Sequence, residues 1–427
     1  MTAKKILLIS LLIFNAYGGY CAANVRHVIH ILVDGLSAIY LKQGMSNYPG
    51  FYPNFERFVN EGATTFNARC DYYYSETLPN ITTVITARPV SKKPYIPVSG
   101  AHGINFNYYI PGITIHNYGD TNKGYISSIF DVVHDAGMVT GFFGVKEKLL
   151  VITDSYNELN GAEDVVGDDN GRNKIDYVEI NSVAYLNGAP IVQSFLEKMS
   201  EYHFNYVFLH IGELDYYGHN YGWGSDTWFY YLVIVDHYIG LILNLIESDS
   251  ELAGSTAIVL TADHGGGMPY NTHVYPEYEL NYTIPLFVWG GGLRPGSDLY
   301  DYFSNRLDPE HSRVKYDDPY QPLRNGDSSN IAAYLLGLNP IPNSWLIPVF
   351  GEPPIFIKYE KRNDAVILSW KSSATNYVLE STDSLSEQSN WLPVNPNTII
   401  NSGNFFIYNY TSQKNIDCRF FRLRRAQ

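Results

Sequence analysis

Three aspartates and three histidines are the residues in this chain best placed to do chemistry. Asp34, Asp215 and Asp263 each follow a short apolar run. His219 comes four residues after Asp215, His264 directly after Asp263, and His273 beyond a glycine-rich stretch. Carboxylates and imidazoles without cysteine make a hard-to-borderline ligand set, suited to zinc or another divalent ion. Each residue alone has a plainer use, because strand-end aspartates often cap helices or form turns. The conjunction carries the expectation: Asp215-Tyr216-Tyr217-Gly218-His219 and Asp263-His264-Gly265-Gly266 occur in one chain, both after apolar strands. His27, His30, His102, His210 and His237 take no role in this reading.

The second feature is Ser75-Glu76-Thr77-Leu78-Pro79-Asn80. Pro79 presets the φ of a first helical turn, so the stretch reads as a loop entering a helix. Thr77 then lies just before the helix N-terminus, where free N–H groups and the dipole favour an anion. Alone, this is an ordinary cap. Lys146 and Lys148, on a strand-end loop, could meet phosphate, but the plainer expectation is solvent.

The elements needed to hold these residues follow from the apolar pattern. Val28–Val33, Met138–Phe143, Tyr206–Ile211, Thr256–Leu260 and Ile284–Trp289 read as buried strands. Pro53–Glu61, Tyr125–Ala136, Ile191–Tyr202 and Thr227–Glu247 read as helices. Such alternation predicts an α/β fold, a mostly parallel sheet with helices on both faces, whose strand ends share one ligand-binding edge. From residue 351 the texture changes to short alternating strands without helices, read as a small β-sandwich over 351–427 after a main domain at 24–350.

A formal charge of −14 with no basic stripe argues against duplex nucleic acid as a partner, though not against small phosphorylated substrates. Lys4 and Lys5, the apolar run Ile6–Phe14 and Cys21-Ala22-Ala23 have a signal-peptide layout, with cleavage after Ala23 and a secreted or periplasmic address. No later segment reads as membrane-spanning; the best candidate, Trp228–Ile246, is interrupted by Asp236, His237 and Gly240. Cys70 and Cys418, left after that cleavage, are read as two separately buried thiols. Asn80, Asn281 and Asn409 each begin a glycosylation pattern; for Asn80 an active-site role is preferred.

Together these stretches resemble the nucleotide pyrophosphatase/phosphodiesterase (type I phosphodiesterase) family of the alkaline phosphatase superfamily. The resemblance rests on Val33-Asp34-Gly35, Glu76-Thr77-Leu78-Pro79-Asn80, Glu213-Leu214-Asp215-Tyr216-Tyr217-Gly218-His219, Asp263-His264-Gly265 and His273, in the family's order. Arg324-Asn325-Gly326-Asp327 followed by Leu336-Gly337-Leu338 resembles its closing segment. It implies an alkaline phosphatase-like metallohydrolase domain holding two divalent ions, zinc foremost. Asp215, His219 and His273 would hold one ion, and Asp34, Asp263 and His264 the other. Thr77 would face the pair as nucleophile and metal contact, forming a phosphothreonine, and Asn80, helped by a backbone N–H near Leu78, would meet a phosphoryl oxygen. Many relatives have His after that asparagine, where this chain has Ile81. The alternatives are a phosphomonoesterase, a phosphonate hydrolase, and a non-catalytic surface protein binding carbohydrate or another surface through its β domain. A sulfatase is disfavoured, since the Cys/Ser-x-Pro-x-Arg nucleophile motif is missing.

Overall fold

The computed structural model describes residues 25–91, 100–164, 167–351, 357–362, 365–371, 377–383, 390–402, 405–411 and 419–425. The expected signal peptide and Cys418 lie outside these residues. The chain divides into two compact units, with the boundary between Glu352 and Pro353.

The first unit is built on eight strands, β1 (His27–Val33), β2 (Ala63–Arg69), β3 (Thr140–Gly144), β4 (Tyr177–Ile180), β5 (Tyr206–Ile211), β6 (Thr256–Thr261), β7 (Thr283–Trp289) and β8 (Ser297–Asp298). They form one sheet in the order β4-β3-β5-β1-β6-β7-β2-β8. All pairs are parallel except β6–β7 and β2–β7, so β7 alone runs backwards. β1 lies at the centre, and all seven of its residues are buried, as a parallel strand covered on both faces requires.

The helices are α1 (Ala38–Asn47), α2 (Pro53–Glu61), α3 (Thr77–Thr86), α4 (Ile129–Asp135), α5 (Leu150–Ser155), α6 (Ala189–Tyr202), α7 (Glu213–Tyr221), α8 (Asp226–Ser248), α9 (Glu279–Tyr282) and α10 (Asp327–Leu335). They gather in two sets. α2, α6 and α7 pack on α8, while α3 and α4 pack on α10, and both sets touch the sheet. The fold is therefore the expected mostly parallel α/β sheet clothed by helices.

Among the elements, α4 and β2 differ from expectation, while α8 keeps close to its expected bounds. α4 starts later, because the Ser128 side chain accepts from Asp131 N while the Asp131 carboxylate accepts from Ser128 N, a capping box that fixes the helix start. β2 was hidden by its polar alternation, and its pairing slips register between Thr65 and Ala68. α8, by length and composition alone, is apolar enough to cross a membrane, but half of its most apolar window is buried inside the first unit. The interruption at Asp236 has a local cause: its carboxylate accepts from Asn54 N, Asn54 Nδ2 and Phe55 N, capping the start of α2.

The second unit has two antiparallel sheets. β9 (Lys358–Arg362), β10 (Ala365–Lys371), β13 (Ile399–Ser402) and β14 (Phe405–Thr411) form one; β11 (Tyr377–Thr382), β12 (Leu392–Pro393) and β15 (Phe420–Arg425) form the other. Val366, Leu368 and Trp370 from the first sheet share one core with Leu379 and Phe421 from the second, which makes the expected sandwich.

Candidate active site

Parallel strands deliver the six ligand candidates to one edge. Asp34 follows β1, Asp263 follows β6, and Asp215 sits in the first turn of α7, directly beyond β5. His219 is one helical turn after Asp215, so both point the same way. Ligand atoms of Asp34, Asp263 and His264 lie within 4.8 Å of one another, as do those of Asp215, His264 and His273. His219 completes the second cluster: its Nε2 is 3.3 Å from Asp215 Oδ1, and His273 Nε2 is 3.5 Å from the same oxygen. His264 faces both clusters but lies nearer the first, 3.1 Å from Asp263 and 3.5 Å from Asp34.

The donor chemistry fits divalent ions. Each histidine commits Nδ1 to a backbone carbonyl: His219 to Asn271, His264 to Gly265 and His273 to Ser75. We assign the proton to Nδ1 on that ground, which leaves each Nε2 lone pair facing the carboxylates. Asp34 Oδ1, Asp215 Oδ1, Asp263 Oδ2 and His264 Nε2 are buried with no hydrogen-bond partner in the protein. Orphaned acceptors gathered at one point are costly unless a cation joins them. The residues present fit divalent metal binding.

Two further side chains, Lys146 and His210, share the site. Lys146, expected in solvent, is buried with Nζ 2.6 Å from Asp34 Oδ2, 2.7 Å from Asp215 Oδ2 and 3.3 Å from Thr77 Oγ1. Burial opposes its charge, but Asp215 and Asp34 outweigh that and hold its pKa well above the ordinary value. Burial and Asp215 likewise work against ionised Asp34, yet Lys146 and His210 keep its carboxyl below the usual range. His210 had no role in the sequence; its Nε2 lies 3.0 Å from Asp34 Oδ2, and its Nδ1 accepts from Val145 N. Lys148 Nζ donates to Asn107 Oδ1, and burial lowers its pKa to about 8.

Thr77 is buried and is the first residue of α3, with Glu76 at the cap, so the helix starts one position earlier than expected. Around it lie Lys146, the Leu78 N–H and Asn107, whose Oδ1 accepts that N–H at 3.0 Å. Asn80 is placed differently from its expected task. Its Oδ1 accepts from Asp71 N and Asn325 Nδ2, and its Nδ2 donates to Tyr74 and Glu76 carbonyls, so its amide is fully used within the protein. Asn325 also donates to the Asp263 carbonyl, tying the segment at Arg324–Asp327 to α3 and to the loop after β6. Asn80 and Asn281 are fully buried, whereas Asn409 is exposed, so of the three glycosylation patterns only the last is accessible.

Trp223 joins the ligand-bearing segments. Its indole N–H donates to the Gly35 carbonyl beside Asp34 at 2.9 Å. Its ring meets His219 edge-on at 5.1 Å and His273 at 6.1 Å. A Cβ added at Gly218 would lie 2.4 Å from the indole and one at Gly266 2.2 Å, so glycine is needed at both for the ring to lie between α7 and the Asp263 loop.

Residues 142–280, about a third of the chain, match the family model for type I phosphodiesterase / nucleotide pyrophosphatase. That span holds Lys146, Asp215, His219, Asp263, His264 and His273, while Asp34 and Thr77 precede it. The match bears out the resemblance and the enzyme class, a hydrolase of phosphodiester or pyrophosphate bonds. No curated protein matches the chain. Among solved structures, murine ectonucleotide pyrophosphatase / phosphodiesterase 5 in complex with AMP is 14% identical at TM-score 0.48, covering 74% of this chain and 96% of that one. A 2-O GAG sulfatase is 11% identical at TM-score 0.47, covering 82% and 80%. Phosphonoacetate hydrolase from Sinorhizobium meliloti 1021, with phosphonoformate, is 22% identical at TM-score 0.37, covering 57% of each chain. At these scores none of the three adds to the assignment.

Proposed function

We propose that the protein is an exported, zinc-dependent phosphodiesterase or pyrophosphatase of nucleotides or related diesters, using Thr77 as nucleophile. The observation that carries this is Lys146 Nζ, which lies against Thr77 Oγ1 and against Asp34 and Asp215, one carboxylate from each donor cluster. Asp215, His219 and His273 would hold one ion, and Asp34, Asp263 and His264 the other. Bound there, the ions would supply Lewis-acid stabilisation of the oxygens entering and leaving phosphorus.

The protein's own residues do the rest. Thr77 Oγ forms a bond to phosphorus as the bond to the leaving oxygen breaks, giving a phosphothreonine; water then cleaves that ester and restores Thr77. Lys146, next to Oγ1, offsets the negative charge gathered on the nucleophile and phosphoryl oxygens. A phosphoryl oxygen entering beside Thr77 takes over the Leu78 N–H from Asn107, in the first turn of α3. Asn80 serves that helix as a brace; the phosphoryl contact keeps the expected Leu78 N–H, and we move the share of Asn80 to the Asn107 amide. The second unit would serve attachment or carbohydrate contact.

One observation favours a second reading, a phosphomonoesterase. Lys146 Nζ lies at Thr77 Oγ1 and Lys148 Nζ at the Asn107 oxygen that also takes the Leu78 N–H, and a monoester dianion carries one more charge for them to match than a diester. Turnover of p-nitrophenyl thymidine monophosphate, p-nitrophenyl phosphate and p-nitrophenyl sulfate, with and without chelator, separates the readings. Preference for the diester supports the first; preference for the monoester transfers the proposal to the second.

A further inference from the structure

The three aspartates of the site use their two oxygens differently. Asp34 Oδ2 is held by Lys146 Nζ and His210 Nε2. Asp215 Oδ2 is held by Lys146 Nζ at 2.7 Å and by the Tyr185 hydroxyl, which donates to it at 2.8 Å. Asp263 Oδ1 accepts from Gly35 N at 3.1 Å and from His264 N at 2.9 Å. The other oxygen of each, Asp34 Oδ1, Asp215 Oδ1 and Asp263 Oδ2, is buried without a hydrogen-bond partner in the protein. Donors on one oxygen fix the rotation of a carboxylate and leave the second as its free acceptor.

Four of these donors belong to the sheet and its strand ends: His210 lies in β5, and Gly35, Lys146 and His264 follow β1, β3 and β6. Tyr185 is the exception. It ends a single helical turn, Ser182–Tyr185, and is half-buried while Val183 and Leu186 beside it are exposed. Its ring lies against Gly212, where an added Cβ would come 2.7 Å from the ring. Lys146 Nζ is 4.7 Å from the ring centroid, and the Tyr216 ring meets it edge-on at 5.5 Å. Three residues further, Gly188 N donates to Glu213 Oε1, and a Cβ at Gly188 would lie 2.6 Å from that oxygen. Glu213 and Asp215 share the first turn of α7. That turn therefore grips the 182–188 segment twice, by its backbone at Gly188 and by its side chain at Tyr185.

We propose that Tyr185 is a positioning residue for the ion site of Asp215, His219 and His273, its hydroxyl holding Oδ2 so that Oδ1 is presented to the two histidines. The proposal rests on the metal reading above. Nε2 of His219 and Nε2 of His273 lie 3.3 Å and 3.5 Å from that same Oδ1. Without the hydroxyl, Oδ2 would keep only Lys146 of its two donors, and Lys146 is shared with Asp34. The carboxylate could then turn away from the geometry that the histidines require.

The test uses the full chain, freed of metal and reloaded with zinc in competition with a chromophoric chelator. His219→Ala, which removes a ligand, identifies the binding step that belongs to this cluster. Tyr185→Phe keeps the ring against Gly212 and Lys146; it should weaken that step roughly 10- to 100-fold and spare the other. Gly188→Ala, which pushes the segment off Glu213, should weaken the same step, and add little when combined with Tyr185→Phe. Native affinities in Tyr185→Phe, even with a lower melting temperature, overturn the proposal and leave the metal reading standing. Equal weakening of both steps does the same. A native chain that binds no zinc overturns the two together.

Discussion

Trp223→Phe separates a residue that positions metal ligands from one that merely fills a core. The phenyl ring keeps part of the packing between Gly218 and Gly266 and deletes the N–H that donates to Gly35. Leaving that carbonyl without its partner costs about 1 kcal/mol, and the lost ring volume about 1–2 kcal/mol more. A stability loss of that size alone would leave the ligand geometry intact. Trp223, however, touches His219 and His273 and is tethered beside Asp34, so both ligand clusters should loosen. We expect metal affinity to fall roughly 10- to 100-fold, the effect usual for groups that orient ligands. Competition with a chromophoric chelator measures this directly. Trp289→Phe is the control: it loses an equivalent N–H bond, to Glu61, away from the site. Cobalt in the site should also quench the fluorescence of the native protein more than that of Trp223→Phe. If both tryptophan variants melt lower by similar amounts and bind metal as tightly as the native chain, Trp223 is only a core residue.

Other perturbations test separate parts of the site and fold. Thr77→Ala should keep its circular dichroism and its metal while diester turnover drops at least about 10³-fold; full turnover would remove Thr77 as nucleophile. Lys146→Gln should lower kcat by about 10²-fold, and an unchanged rate would return Lys146 to a structural role. Asp236→Ala strips three donors at the start of α2 of their acceptor and should cost about 1–2 kcal/mol in urea unfolding without touching turnover. His30 is buried, and desolvation lowers its pKa to about 3 from an ordinary 6.5. Between those values the unfolded chain binds a proton there that the folded chain refuses. Its contribution is therefore intact above pH 6.5 and falls by about 1.4 kcal/mol per unit below it. His30→Phe should flatten the loss of stability between pH 6.5 and 5, measured by urea unfolding; an unchanged slope would show that other groups govern it.

How much of this was legible in the sequence depended on whether a residue's task is set locally. Asp215 and His219 announce themselves because one helical turn sets their relation, and Asp34 and Asp263 because parallel apolar strands must end on one edge. Lys146 gives no such sign: its partners Asp34, Thr77 and Asp215 are close only after β3 is laid beside β5 and β5 beside β1. His210 was hidden for the same reason, as a histidine inside an apolar strand whose acceptor lies on the neighbouring one. Asn80 shows the opposite error. Its position in a recognisable stretch suggested contact with substrate, yet the fold surrounds it with Asp71, Tyr74, Glu76 and Asn325 until no hydrogen-bonding capacity is left. A motif thus fixes where a polar side chain lies along the chain, and tertiary neighbours decide whether its donors and acceptors remain free. Half-buried Asn107, thirty residues from Thr77 and outside every motif, is therefore the better-placed amide, because its neighbours leave it at the Leu78 N–H.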